Sequence, residues 1–276
     1  MNRINLLLEI GAEKPFRVLF AADTHTVFVN EKDNSRKHEL AEGRQKVFPH
    51  AAEYLDELGR AAEEENTVIL HAGDLIDFVS EGNLEAAARF TASHDVFMAA
   101  GNHEFSQYVG EAWEDAAYRE QSLARVQSVF RNDIRMSARV INGVKFIALD
   151  NGYYLFEQAQ LDFLRKECAE GLPVVLLMHT PLYTPAYHEF MLTDGHCPCG
   201  YLCGTPESEM SGYSEHRFRQ QKSDEITRET IRYITECKNI RCLLTGHNHV
   251  NIVSSVRPDL PQYTAGMDTL YNIKIR

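Results

Sequence analysis

Five short apolar runs, each followed by a polar loop, constrain the fold of this chain more than any other feature. They are RVLFAADTH (17–25), TVILHAGDLID (67–77), DVFMAAGNHE (95–104), PVVLLMHTP (173–181) and RCLLTGHNH (241–249). Each apolar stretch is four to six residues long and rich in Val, Ile, Leu or Phe, which favours buried strands over helices. Because ligands of open α/β sheets bind at the carboxyl ends of the strands, we expect a functional site at these polar loops.

Helical periodicity separates most of these runs. Apolar residues recur at helical spacing from Val47 to Ala62. Similar patterns lie near 83–92, 106–130, 157–169 and 223–237. The stretch SARVINGVKFIALD (137–150) instead predicts a hairpin that turns at Asn142-Gly143, and the residues from 250 onward are also typical of β-structure. Strands that alternate with helices, with hairpins late in the chain, predict an α/β layered fold with mixed sheets.

The length and the even composition of the chain bear on its domain organisation. It has 276 residues and no linker-like change in composition, so we expect one domain over residues 1–276. Within this domain, residues 182–222 are predicted to form a long irregular excursion. Loops of that length are usually functional lids or rims.

The charge and the absence of long apolar stretches exclude several classes of protein. The formal net charge of −12 argues against a general nucleic-acid binder, because such proteins present a basic face. The basic groups Arg36-Lys37 and Arg217 to Arg219 are too small to form a nucleic-acid groove. Bound divalent cations would invert the field locally, so an anionic substrate remains compatible with this charge. No stretch reaches the roughly 18 apolar residues of a membrane span, and MNRINLLLEIGAEKPF lacks the features of a secretory signal, so we expect a cytoplasmic protein.

Polar side chains of the metal-ligand type follow all five apolar runs. They are Asp23 and His25, Asp74 and Asp77, Asn102 and His103, His179, and His247 and His249. Taken singly, such an aspartate is typical of a helix cap or a turn, and such a histidine of a strand end whose polar atoms are satisfied. Their joint occurrence at five strand ends favours a metal site. His247 and His249 are two residues apart, so in an extended chain both would point the same way.

These blocks resemble, in order, the pattern of the calcineurin-like metallophosphoesterase superfamily. That pattern is Asp-x-His, Gly-Asp-x-x-Asp, Gly-Asn-His-Asp/Glu, a lone His and Gly-His-x-His. The chain supplies Asp23-Thr-His25, Gly73-Asp-Leu-Ile-Asp77, Gly101-Asn-His-Glu104, His179 and Gly246-His-Asn-His249. The resemblance implies a layered α-β-β-α sandwich with two mixed β-sheets and a metal site at the carboxyl ends of the strands.

The resemblance also implies the ligands of two divalent metal ions. Asp74 would bridge the two ions. The other ligands would be Asp23, His25 and His249 at the first ion, and Asn102, His179 and His247 at the second. Mixed oxygen and imidazole ligands suit manganese, iron or zinc better than calcium.

Three neighbours of these ligands complete the expected site. His103 resembles the histidine that contacts the phosphate or protonates the leaving oxygen, and the adjacent Asn102 would also face the substrate. Asp77 would orient the ring of His103, as outer carboxylates do for histidines. Glu104 is expected to be a salt-bridge partner that fixes the loop.

The superfamily hydrolyses phosphomonoesters, phosphodiesters or nucleic acids. The second block continues as Asp77-Phe78 rather than Asp-Arg-Gly, and the last block has two histidines, both unlike the protein serine/threonine phosphatases. The acidic charge disfavours a nuclease. The chain then looks like the small bacterial phosphodiesterases, including those that act on cyclic nucleotides, and we expect a small phosphorylated substrate. The predicted reaction is in-line attack on a phosphodiester by a hydroxide held between the two ions, without a phosphoenzyme.

Two alternatives remain open on the sequence alone. One is a phosphomonoesterase that acts on a small nucleotide or a sugar phosphate. The other is a metal-binding scaffold without catalysis, which the presence of His103 and Asp77 disfavours because metal binding alone would not require them.

The excursion carries further candidate residues. Cys197, Cys199 and Cys203 cluster in HCPCGYLCG, where a third, zinc-binding site or free thiols on a rim loop are the two interpretations. Their spacing fits no common zinc module, which favours free thiols. Tyr183, Tyr187 and His188 are further candidate substrate contacts.

Overall fold

The computed structural model describes residues 1–109 and 116–276. Its strands are β1 (Asn2–Leu8), β2 (Phe16–Ala21), β3 (Ile69–His71), β4 (Val96–Met98), β5 (Met136–Ile141), β6 (Val144–Leu149), β7 (Val174–Met178), β8 (Ile240–Thr245), β9 (Ile252–Arg257), β10 (Leu260–Thr264) and β11 (Thr269–Ile275). Its α-helices are α1 (Ser35–Val47), α2 (Ala51–Glu65), α3 (Glu81–Ser93), α4 (Ala116–Gln127), α5 (Gln158–Cys168), α6 (Pro185–Leu192), α7 (Glu215–Gln221) and α8 (Glu225–Glu236). Every helix of this described part falls short of the length and apolar character that a membrane span requires.

All five apolar runs form strands, namely β2, β3, β4, β7 and β8. The predicted helices are present as α2, α3, α4, α5 and α8, although residues 110–115 of the helix predicted near 106–130 lie outside the described residues. The pattern from Val47 to Ala62 begins as a helix only at Ala51. Pro49 follows Phe48, and because the residue before a proline disfavours helical geometry, α1 ends there and a separate helix begins.

The strands form two mixed sheets. The five-stranded sheet has the order β1-β11-β2-β3-β4, and the six-stranded sheet has the order β5-β6-β7-β8-β10-β9. In the first sheet β2, β3 and β4 run parallel, and in the second β6, β7 and β8 do. The predicted hairpin is β5–β6, in which Asn142 (φ 46°) and Gly143 (φ 77°) adopt the two left-handed conformations of a tight primed turn.

Alternating side chains place each sheet between the other sheet and a layer of helices. On β2, Val18 and Phe20 pack in the core between the sheets, whereas Leu19 and Ala21 pack under the helices α2 and α3. The six-stranded sheet repeats this arrangement, with its outer face covered by α5 and α8. The predicted α-β-β-α sandwich is therefore confirmed.

The excursion over residues 182–222 is more regular than predicted, because it contains α6 and α7. Both helices have a side chain that caps the first turn: Thr184 accepts from the backbone N–H of Tyr187, and Ser214 from that of Arg217. The helices are short and their apolar residues do not recur over enough turns to give a clear pattern. Tyr187 belongs to a small core that α6 forms with the following loop.

Candidate metal centre

The loops that follow β2, β3 and β4 in one sheet and β7 and β8 in the other converge at one edge of the sandwich. Three overlapping trios of potential ligands have donor atoms within 4.8 Å of one another: Asp23, His25 and His249; His25, Asp74 and His103; and Asp74, His179 and His247. Both sheets therefore contribute to one cluster of buried polar side chains.

The first donor group consists of Asp23, His25, Asp74 and His249. Nε2 of His25 lies 2.9 Å from Nε2 of His249 and 3.6 Å from Oδ2 of Asp74. Oδ1 of Asp23 lies 3.6 Å from Nε2 of His249 and 3.9 Å from Nε2 of His25. The side chain of His249 is 37% exposed, whereas those of Asp23 and His25 are buried, so the group opens to solvent on the His249 side.

The second donor group consists of Asp74, Asn102, His179 and His247. Nε2 of His179 lies 3.2 Å from Oδ2 of Asp74 and 3.1 Å from Oδ1 of Asn102. Nδ1 of His247 lies 3.1 Å from the same His179 nitrogen. Oδ2 of Asp74 is thus close to one imidazole of each group, since it also approaches His25.

The chemistry of these donors fits metal ions. Because Nδ1 of His25 donates to Asp77, the Nε2 atom that faces His249 carries no proton in the neutral ring and offers its lone pair to a metal ion. Atoms that bind one ion at roughly 2.0–2.2 Å are separated by roughly 3–3.5 Å, which is close to most of the distances found here. Burial raises the pKa of Asp23 to about 8, so its ionised form needs a cation nearby.

Strained backbone presents several of these donors. The donor residues with left-handed backbone are Asp23 (φ 54°), His25 (φ 48°), Asp74 (φ 55°), His247 (φ 74°) and His249 (φ 55°). Such conformations persist where the surrounding structure holds them, and they cluster at functional sites. Strand β8 ends at Thr245, and the bent backbone beyond it directs the rings of His247 and His249 to different donor groups, whereas in an extended chain both would point the same way.

Two glycines allow close approach at the site. A Cβ atom on Gly101 would lie 2.2 Å from Oδ1 of Asp74, and one on Gly246 would lie 2.5 Å from Oδ2 of Asp23. Neither contact is sterically possible, so any other residue there would displace a donor carboxylate.

A pair formed by Asp77 and Arg44 orients two histidines. Nε and Nη2 of Arg44 donate to the two carboxylate oxygens of Asp77 at 2.6 and 2.8 Å. Nδ1 of His25 donates to the same carboxylate at 2.9 Å. Nδ1 of His103 lies 2.6 Å from the main-chain oxygen of Asp77 and 3.2 Å from its carboxylate. The rings of His25 and His103 are therefore both held by one buried residue, Asp77.

The charges of this network reinforce one another. Burial alone would raise the pKa of Asp77, but the hydrogen bonds from Arg44 and the two histidines hold it well below its usual range. Burial alone would lower the pKa of His103, but the carboxylates of Asp74 and Asp77 raise it to about 9. The two carboxylates therefore favour the protonated form of His103.

The expected salt bridge of Glu104 is replaced by hydrogen bonds to the backbone. Its buried carboxylate accepts from the N–H groups of Gly101, Asp74 and Leu75 at 2.7, 2.8 and 2.8 Å. Burial and the nearby Asp74 raise its pKa to about 7. Glu104 thus fixes the loops after β3 and β4 to each other, which a salt bridge to a flexible side chain would do less directly.

Three residues at the site have no motif in the sequence. Besides Arg44, they are Tyr154, whose hydroxyl lies 2.7 Å from Nε2 of His247, and Phe48, whose ring stacks on that of His25 at 4.3 Å. None of them follows one of the five apolar runs, so only the tertiary structure reveals them.

A cavity of about 760 Å³ lies over the donor groups. Residues at and around the donor groups line part of it, namely Arg44, Asp74, Asn102, His103, Tyr154, His247 and His249. The excursion contributes further lining residues, which we call the distal wall: Met191, Cys197, Tyr201, His216 and Arg217.

The candidate substrate contacts Tyr183, Tyr187 and His188 are not among the described residues that line this cavity. Tyr187 is fully buried, and Nε2 of His188 lies 2.8 Å from the hydroxyl of Tyr213. The ring of Tyr183 packs against that of His188. Tyr183 and Tyr187 pack in the small core around α6, and Nδ2 of Asn248 donates to the hydroxyl of Tyr187 at 3.2 Å.

The cysteines of the excursion are free thiols, and no candidate metal group within the described residues includes a cysteine. Sγ of Cys199 accepts a hydrogen bond from Nε2 of Gln221 at 3.2 Å. Sγ of Cys203 donates to the main-chain oxygen of Tyr154 at 3.1 Å. These contacts tie the excursion to its own helix and to the site, which favours the free-thiol interpretation over a third metal.

Comparisons with known proteins agree with the fold described above. The chain shares its fold with a dimetal phosphatase from Danio rerio (TM-score 0.52, 12% identity, 91% of this chain and 88% of that chain). It also resembles a purple acid phosphatase from yellow lupin, Lupinus luteus (TM-score 0.55, 13% identity), covering 94% of this chain but only 45% of the lupin chain. No curated protein matches the sequence significantly. The sequence model of the calcineurin-like phosphoesterases, however, matches residues 16–251, and this chain therefore belongs to the calcineurin-like phosphoesterase family.

Proposed function

We propose that this protein hydrolyses a phosphodiester of a small substrate with the help of two divalent metal ions. The observation that carries the proposal is the pair of donor groups that share Oδ2 of Asp74 beneath an open cavity. Asp23, His25 and His249 would hold one ion and Asn102, His179 and His247 the other, with Asp74 between them. Manganese, iron and zinc all suit this mixture of ligands.

Two such ions, when bound, lower the pKa of a water molecule and neutralise charge on the phosphate. The protein itself contributes orientation and a proton. His103 lines the cavity, and its Nδ1 is held by Asp77. The protonated ring can then donate from Nε2 to a phosphate oxygen or to the departing oxygen. Arg44 keeps Asp77 in place, and the neutral Asn102 adds a ligand without adding negative charge.

The preference for a diester rests on the shape of the cavity. Arg44 and Val109 line it together with the distal wall, and its volume of about 760 Å³ leaves room for an organic group on each of two ester oxygens. A phosphomonoesterase acting on a small nucleotide or sugar phosphate is the second candidate. It is favoured by His103, which lines the same cavity and whose protonated form the neighbouring carboxylates stabilise, because a monoester carries more negative charge than a diester.

Paired assays separate these candidates. Metal analysis of the purified protein comes first, followed by turnover of bis(p-nitrophenyl) phosphate and p-nitrophenyl phosphate with manganese. We expect faster hydrolysis of the diester. Faster hydrolysis of the monoester would select the second candidate. Bound metal without turnover of either ester would overturn the phosphoesterase proposal and leave a metal-binding scaffold.

The proposed attack by water can be tested independently. No side chain of the donor groups is a serine or cysteine that could serve as a nucleophile. In water enriched in oxygen-18, we expect the label in the phosphate product of the first turnover. Because a phosphoenzyme hydrolysed by water would also release labelled phosphate, the stereochemistry at phosphorus decides between the two routes. Direct in-line attack on a chiral phosphorothioate diester inverts the configuration, whereas retention would require a covalent phosphoenzyme.

A further inference from the structure

Two residues of the distal wall form a planar pair beside the second donor group. The guanidinium carbon of Arg217 lies 5.0 Å from the centroid of the Tyr201 ring. The Tyr201 ring in turn lies 6.2 Å from the ring of His247, at an interplanar angle of 71°. Both residues line the cavity, so this π-surface borders the space where the organic part of a bound ester would extend.

The structure holds Tyr201 firmly in a costly conformation. Its φ of 50° lies in the left-handed region, which is rare for a bulky side chain and marks positions that the surrounding structure constrains. On its amino-terminal side, the N–H of Gly200 donates to the hydroxyl of Tyr213 at 2.7 Å. The preceding Cys199 accepts from Gln221 of α7, the helix that also carries Arg217. The segments that carry Tyr201 and Arg217 are thus also joined by the contact between Cys199 and Gln221.

The chemistry of the pair suits stacking rather than phosphate binding. Burial raises the pKa of Tyr201 to about 12, so its phenol is neutral at physiological pH. A guanidinium held over an aromatic ring offers a flat, weakly hydrated surface, and aromatic rings bind nucleobases in the same way. The scissile phosphate has its own partners in the donor groups and His103. The Arg217–Tyr201 pair lines the same cavity and faces the rest of a molecule bound there.

We propose that Tyr201 and Arg217 form a specificity subsite that stacks on a planar π-system in the organic part of the substrate, as a nucleobase provides. The subsite deepens the phosphoesterase function proposed above and rests on it. It predicts that nucleoside esters are preferred over aliphatic esters of the same bond type.

The test uses two diesters that release the same product, the p-nitrophenyl ester of thymidylate and methyl p-nitrophenyl phosphate. With the manganese-loaded protein, we expect kcat/KM to favour the nucleoside ester by about tenfold or more. Tyr201→Leu and Arg217→Gln should each bring this ratio close to unity while the methyl ester keeps its rate. Arg219→Gln is the matched control, because Arg219 lies on the same helix, is 76% exposed and pairs with Glu215.

A wild-type protein without preference, or variants that slow both esters equally, would overturn the subsite while leaving the phosphoesterase proposal intact. If neither ester is hydrolysed, the function proposal fails, and calorimetric binding of adenylate against ribose phosphate still tests the stacking. Tighter binding of adenylate that both Tyr201→Leu and Arg217→Gln abolish would support the subsite. Equal affinities for the two ligands would refute it.

Discussion

The hydroxyl group of Tyr154 lies 2.7 Å from Nε2 of His247, while Nδ1 of the same ring faces His179. An imidazole that binds a metal through Nδ1 carries its proton on Nε2. The Tyr154 oxygen is therefore positioned to accept a hydrogen bond from that N–H group. The tyrosine thereby selects the tautomer that the second donor group needs.

Tyr154→Phe removes this oxygen and keeps the ring. We expect the affinity for the second metal ion to fall about 10- to 100-fold, which is the usual cost of losing an outer partner of a ligating histidine. The first ion should bind as before, because the Tyr154 hydroxyl lies against His247, a ligand of the second ion. Calorimetric titration of the metal-free protein with manganese resolves the two events. Tyr153→Phe, a change at the adjacent ring, serves as the control, and equal weakening of both ions would contradict the assignment.

Arg44→Lys tests the link between helix α1 and the site. A single ammonium group cannot engage both oxygens of Asp77, so the rings of His25 and His103 lose a fixed partner. We expect kcat to fall about 10- to 100-fold with a much smaller change in KM and an unchanged metal content. Steady-state kinetics and elemental analysis measure these quantities. Lys46→Gln on the same helix controls for the loss of a positive charge, and an unaltered kcat in Arg44→Lys would exclude the positioning role.

Asp74→Asn tests the shared ligand. The amide keeps the shape of the side chain but removes the charge that lies between both donor groups. We expect loss of at least one bound ion and a fall in activity beyond the roughly 100-fold effect of an outer residue. Asp150→Asn offers a matched comparison, because Asp150 is equally buried but pairs with Arg119 instead. Full activity in Asp74→Asn would rule out the bridging assignment.

Asp33→Asn tests stability and its dependence on pH. The carboxylate accepts from the N–H groups of Glu81 and Gly82 at the start of α3. Burial alone would raise the pKa of Asp33, but these hydrogen bonds lower it below its usual value of 3.8. The stabilisation that the Asp33 carboxylate gives the folded protein is therefore present above the unfolded-state pKa. It is lost as the pH falls through the lower, folded-state pKa.

We expect this substitution to lower the free energy of unfolding by about 1 kcal/mol at pH 7. The loss should shrink towards pH 3, where the wild-type carboxylate also begins to take up a proton. Urea denaturation at the two pH values provides the measurement, with the exposed Asp194→Asn as the control. A loss of equal size at both pH values would show that charge plays no part.

The sequence predicts the central strands well because they are buried on both faces. Parallel strands between two layers are apolar at successive positions, so β7, with all five residues buried, stands out as a continuous run. The polar blocks that follow such runs lie at one edge of the sandwich because the strands are parallel. The convergence of these polar blocks could thus be predicted from the sequence alone.

Elements whose apolar residues follow no clear helical or strand periodicity could not be predicted. Helix α1 buries only Ala41 and has no apolar stripe, yet it carries Arg44. Strand β1 is half-exposed and pairs parallel with β11, the strand farthest from it along the sequence. Tyr154 enters the site through a turn after β6, and nothing in its local sequence indicates a contact with His247. Such contacts depend on tertiary packing rather than on local periodicity.

The division of the donor atoms between the two sheets has a consequence for the biogenesis of the protein. Asp23, His25, Asp74 and Asn102 belong to the part of the chain that builds the five-stranded sheet, whereas the remaining histidines follow strands of the other sheet. That first sheet is itself incomplete until β11 inserts between β1 and β2. Neither half of the chain can assemble a full ligand set alone, so tight metal binding should follow the docking of the two halves. The metal occupancy of the protein would then report that folding is complete.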